Sequence, residues 1–162
     1  MEKNNPKSCY TFKFSKGSIF RTFVLFLLSG IGIYHFFINV GIKNLNEPGL
    51  VMGAICLIMG IWALSDLCSN RYRDFIKLTT EGIEIDQSNE LEYKRVKAHF
   101  SWTQIGHLDV TPAKLKHSYN MNLYDRQGDL LGSYSVAEKV CVEDPTIDIE
   151  TAYYKIKNSR SI

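Results

Sequence analysis

The sequence has no CxxC pair, and its four cysteines, Cys9, Cys56, Cys68 and Cys141, are scattered. That spacing suits neither a zinc site nor a disulfide framework, so four unpaired thiols in or facing a reducing compartment are expected. A Gly-rich phosphate loop, a nucleophile elbow and a paired-acid motif are also missing. No metal, no cofactor and no enzymatic activity is therefore expected. Charge of one sign is lacking too: the formal net charge is only +2. From Arg71 onward, thirteen Lys/Arg stand against fourteen Asp/Glu. A nearly neutral domain argues against nucleic acid as a partner, because phosphate binding needs a basic surface.

The 162 residues suffice for one modest domain plus an anchor. Two long apolar runs stand out, over residues 19–40 and 50–67. About 20 helical residues cross the roughly 30 Å hydrocarbon core, and each run is about that long. Neither has the polar face of a soluble amphipathic helix. A cleaved signal peptide fits poorly, because the first run is too long and no A-x-A-like site follows it. A hairpin buried in a soluble fold also fits poorly, since the remaining chain is too small to cover both helices.

The connection 41–49 is short and contains Pro48-Gly49, a turn signal. It predicts adjacent antiparallel helices. Cations set the orientation. In residues 1–21, Lys3, Lys7, Lys13, Lys16 and Arg21 face Glu2 alone, Arg71, Arg73 and Lys77 follow the second run, and the loop holds only Lys43. Two spans in a cell membrane are expected, as in a bacterial inner membrane, with both termini cytoplasmic. On the second run Gly49, Gly53, Cys56, Gly60 and Ala63 recur at steps of four and three, which makes a small-residue stripe for helix packing. Ser29 and Gly32 offer a weaker match on the first run. The stripe serves packing within the hairpin or, alternatively, a homo-oligomer. His35 and Asp66 lie near the ends of the runs, where interfacial placement is expected over a proton relay.

After Asp74 the pattern shortens to alternating runs. Residues 75–80, 83–86, 94–100 and 105–110 read as strands, with a loop at 87–90. Tyr119–Tyr124 and residues 130–136 flank Asp125-Arg126-Gln127-Gly128-Asp129, a hairpin signal. Then the period changes: Ile149, Ala152, Tyr153 and Ile156 make one helical stripe, and Asp144-Pro145 reads as the cap of a helix over about 145–158.

The motifs Leu78-Thr79-Thr80-Glu81-Gly82-Ile83 and His99-Phe100-Ser101-Trp102-Thr103-Gln104-Ile105 are similar to the first hairpin and the strand-Trp-Ile segment of bacterial membrane proteins with a PH-like domain. The element order, with a strand-like stretch at residues 10–14 before the hairpin, resembles theirs as well. The resemblance implies a small curved sheet or barrel with a capping helix, and it brings no catalytic group. The expected class is thus an α+β membrane protein. Residues 1–18 form a cytoplasmic segment, 19–67 a transmembrane hairpin, and 71–162 a cytoplasmic PH-like antiparallel β domain with a C-terminal helix.

Few residues are candidates for a site. Lys94, Arg95 and Lys97 make the best basic cluster for anionic headgroups, or else a solvated strand face. Trp102 reads as a core residue rather than a ligand stacker. His99, His107 and His117 lack the spacing of metal ligands, and Ser101, Ser133 and Ser135 read as ordinary strand serines. The expected function is a membrane-anchored binding or scaffolding protein, whose partners are the lipid bilayer and a protein at the cytoplasmic face. The alternatives are a ligand-sensing two-helix effector and an immunity protein against a membrane-active toxin.

Overall fold

Both apolar runs form helices. In the computed structural model, which describes residues 9–39, 47–89, 94–113 and 119–159, α1 spans Lys16–Ile33 and continues as a π-helical stretch, Tyr34–Asn39. The second helix, α2, spans Glu47–Cys68, and a short 3-10 turn, Asn70–Arg73, follows it. Part of the expected connection is helical, because Pro48 fits a first helical turn, where its missing N–H is not needed. Residues 40–46 lie outside the described residues. Both helices are long and apolar enough to cross a membrane. They expose that apolar surface, with Phe20 at 67%, Ile31 at 65% and Ile58 at 64%.

The chain divides into two compact units. One is this hairpin, Lys16–Tyr72; the other joins Met1–Ser15 to Arg73–Ile162. Among the described residues, the second unit is built from eight strands and one helix. Its strands are β1 (Cys9–Phe14), β2 (Phe75–Thr79), β3 (Gly82–Asn89), β4 (Lys94–Ser101), β5 (His107–Pro112), β6 (Tyr119–Tyr124), β7 (Leu130–Ser135) and β8 (Lys139–Cys141). They make a five-stranded sheet in the order β4-β3-β2-β1-β8 and a three-stranded sheet in the order β5-β6-β7, and every pairing given is antiparallel.

Alternation decides which side chains meet between the sheets. Tyr10 and Phe12 of β1, Ile76 and Leu78 of β2, and Ile83 and Ile85 of β3 point inward, where Leu108, Met121 and Leu123 of the smaller sheet join them. The final helix, α3 (Ile149–Ser159), buries Ile149, Ala152, Tyr153 and Ile156 and lies against β1, β2 and β5. That stripe is the one its spacing predicts.

Three features differ from the sequence reading. The stretch 87–89, read as loop, continues β3. Gln87 turns inward and donates from Nε2 to the Ser135 carbonyl at 2.8 Å, while Ser88 donates N–H and Oγ to Asp74. These bonds satisfy polar groups that would otherwise oppose a half-buried strand. The cap of α3 is Asp148 and not Asp144: Asp148 Oδ1 accepts from Thr151 N–H at 2.6 Å. Asp144 instead closes a turn, accepting from the N–H and hydroxyl of Thr146. Third, the unit that sequence places at 71–162 holds β1 as an interior strand, with β2 on one side and β8 on the other.

The two motifs quoted above meet in space. Thr79 Oγ1 accepts from the N–H groups of Glu81 and Gly82, tightening the β2–β3 turn. Trp102 Nε1 donates to the Thr79 carbonyl at 2.9 Å. Gly82 is required here, because a Cβ would run into the Phe100 backbone.

Candidate functional site

The seam between α1 and α2 is made of small and hydroxyl side chains. Gly53, Gly60 and Ala63 are buried and Cys56 is half-buried; the surroundings of Gly49 lie outside the described residues. Ser29, itself buried, donates to the Cys56 carbonyl. A Cβ on Gly60 would stand 2.5 Å from Ser29 Oγ, and one on Gly32 2.6 Å from Cys56 Sγ. The stripe therefore faces the partner helix of its own hairpin.

At the end of the hairpin that leads to β2, the seam becomes polar. Tyr72 donates its hydroxyl to Asp66 Oδ2 at 2.7 Å and meets Thr22 Oγ1 at 2.8 Å. Thr22 also reaches Asp66 Oδ2, and the Arg71 guanidinium lies 3.3 Å from Asp66 Oδ1. Asp66 thus ties α1, α2 and the following turn together. Ser18, Thr22 and Ser29 are the buried residues of α1. His35, toward the other end, is exposed and sits edge-on to Phe36.

The basic cluster lies on β4 and is split by alternation. Arg95 and Lys97 share the outer face with His99, all exposed; Lys94 falls on the face of Val96, Ala98 and Phe100. Asp86 of β3 receives both outer cations. Arg95 Nε bonds its Oδ1, and Lys97 Nζ lies 3.8 Å from its Oδ2. The bond to Asp86 raises the Arg95 pKa further. Lys97 remains 75% exposed despite this pairing.

Trp102 packs on the core, its ring 5.5 Å from that of Tyr153. His107 stacks on Tyr124, His99 is exposed, and His117 lies outside the described residues. Ser101 bonds Thr103 and Gln104 within its own turn. Ser133 faces Asn122 and Ser135 faces Asn120 across the β6–β7 ladder. Among the described residues, no group of three His, Cys, Asp or Glu is placed to hold a metal ion.

One cavity of about 390 Å³ opens beside the N-terminus of α3. Phe12, Val110, Val136, Ile147 and Ile149 give it apolar walls, and Lys139, Asp148 and Glu150 stand at its polar side. Two of those charges are already engaged. Lys139 donates to the Ser135 carbonyl and sits over the Phe14 ring, and Asp148 caps α3.

Comparison with known proteins adds no relative: no family, no curated protein and no solved structure matches the chain.

Proposed function

We propose that this chain is a membrane-anchored binding or scaffolding protein. Its helical hairpin crosses the bilayer twice, and its PH-like β unit engages a protein or lipid partner at the cytoplasmic face. The observation that carries this reading is the pairing of β1 with β2. The chain leaves the sheet at Phe14 and rejoins it at Phe75, and Lys13 pairs directly with Phe75. Everything between them is the apolar hairpin. A sheet whose adjacent strands flank the hairpin needs both hairpin ends on one side, which two crossings supply. The cation-rich flanks favour the cytoplasm as that side.

Further support comes from the helices. Large apolar side chains exposed all round a helix pair are unfavourable in water and favourable in lipid. Two meanders followed by a helix against β1, β2 and β5 favour the PH-like reading. The effector alternative loses its motive, because the small-residue stripe is occupied within the hairpin. The immunity alternative has no feature in its favour.

The test is one of topology and contact. A Lys43→Cys variant without other cysteines should react with a membrane-impermeant maleimide in intact cells. An Asn158→Cys variant should react only after permeabilisation. Photo-crosslinkers at Lys97, Leu130 and Tyr154 in native membranes should give adducts from one face of the β unit. Labelling of Asn158→Cys in intact cells, or no specific adduct from any face, would remove the proposal.

A further inference from the structure

Of the strand edges in the β unit, that of β4 is the longest left open. Its eight residues pair with β3, and among the described residues no strand takes its other side. The opposite edge strand, β8, has only three residues. In the smaller sheet, β5 ends in Pro112, which has no N–H to give. An open edge presents a row of N–H and C=O groups that one more strand can use.

The side chains of β4 define which strand fits. Arg95, Lys97 and His99 are exposed on the outer face. Val96, Ala98 and Phe100 are half-buried on the other, with Ala98 and Phe100 against the core. Asp86 is shared by two cations, and Glu84, opposite His99 on the same face, is paired with Lys77, so this face keeps positive charge. Past the end of β4, an open groove of about 350 Å³ runs between Phe100 and Leu131, with Arg126 on its rim. A second copy of β4 would set cation against cation, a means by which edge strands avoid self-pairing. A strand alternating acidic and apolar residues would instead set carboxylates beside Arg95 and Lys97, and apolar groups beside Val96 and Ala98.

We infer that β4 is a strand-addition site for an extended acidic–apolar segment of a partner protein, whose end the groove between Phe100 and Leu131 receives. This rests on reading the β unit as a binding module, and it names the class of partner that module takes.

The test uses the full chain in neutral phosphatidylcholine nanodiscs. The probe is a labelled peptide alternating Glu and Val over the length of β4. The controls are an alternating Lys/Val peptide, a Glu-block–Val-block peptide of equal composition, and nanodiscs containing phosphatidylserine. The alternating acidic peptide should bind and slow amide hydrogen exchange over residues 94–100 by about tenfold or more. The double change Arg95→Glu, Lys97→Glu should weaken binding by about tenfold. Because that change also frees Asp86, Arg126→Glu, on an exposed loop, gives an independent check and should weaken it several-fold. Equal binding by the block or Lys/Val peptide, or protection confined to other residues, overturns the site. Protection of 94–100 by phosphatidylserine in place of peptide also overturns it, yet leaves a lipid-binding module standing. If no probe protects any residue, the strand-addition site fails, and the crosslinking experiment decides the binding-module reading separately.

Discussion

Glu143 shows how one carboxylate can fasten two strands. Its Oε2 accepts from Thr11 N–H at 2.6 Å, which joins the segment after β8 to β1, and the Cys141 thiol lies 3.3 Å away. Burial alone would raise its pKa, but hydrogen bonds led by the Thr11 N–H outweigh that and hold it below the ordinary value. A depressed pKa contributes stability that is present above the unfolded value, about 4.3, and is lost as pH falls through the folded one. Glu143→Gln should therefore destabilise the β unit at neutral pH and lessen its acid sensitivity below about pH 4. Denaturant melts at pH 7 and pH 3 check this; equal losses at both would refute it. Gly128 is a simpler case. It holds φ at +93° in the β6–β7 turn, with nothing within 4 Å of where a Cβ would stand. Gly128→Ala should cost about 1–2 kcal/mol through backbone conformation alone, read as a lower unfolding midpoint. An unchanged midpoint would contradict the assignment.

At the scale of elements, the hairpin depends on close approach. Gly60→Leu must displace Ser29, and with it the bond to the Cys56 carbonyl. Overpacking of this kind costs about 1–3 kcal/mol, which should appear as a lower unfolding temperature in detergent. Ile58→Leu, on an exposed apolar position, should leave that temperature unchanged. The small-residue seam was legible in sequence from its steps of four and three on an apolar helix, but its partner was not, because the same stripe serves a hairpin or a homo-oligomer. The clamp at Asp66 was not legible. Its partner Tyr72 belongs to a short turn outside the helical period, and Thr22 reads as an ordinary residue of an apolar run. Alternation located β2, β4, β6 and β7 well, since each puts one face on the core. It failed at 87–89, where a buried Gln87 satisfied by a distant carbonyl mimics a polar loop. The cap of α3 was misplaced because Asp144-Pro145 and Asp148 both carry start signals, and only the tertiary position of Ile147 and Ile149 separates them. Three-residue β8 has too little pattern to be read. Of the candidate site, residue types and strand were legible; the division of Lys94 from Arg95 and Lys97 follows from alternation, but the shared Asp86 required the β3–β4 register.

At the scale of the whole molecule, an apolar helical hairpin is inserted between two neighbouring strands of one sheet. Sequence order hides this, because β1 and β2 are separated by the whole hairpin yet pair from Cys9↔Thr79 to Lys13↔Phe75. The β unit is therefore incomplete without residues 9–14. Tyr10 and Phe12 are each 3% exposed, and burying such side chains contributes about 1.5–3 kcal/mol apiece. Removing β1 would also leave β8 without its ladder partner and open one edge of β2, which keeps only β3. A fragment of residues 71–162 should accordingly aggregate or remain unfolded. A chain in which residues 15–73 are replaced by Asn-Gly should behave differently, since a two-residue turn suits antiparallel neighbours. It should be soluble, rich in β structure by circular dichroism, and cooperative in unfolding. If the 71–162 fragment folds as stably as the short-circuited chain, then β1 is dispensable, and the argument that both ends of the hairpin share one side of the membrane falls with it.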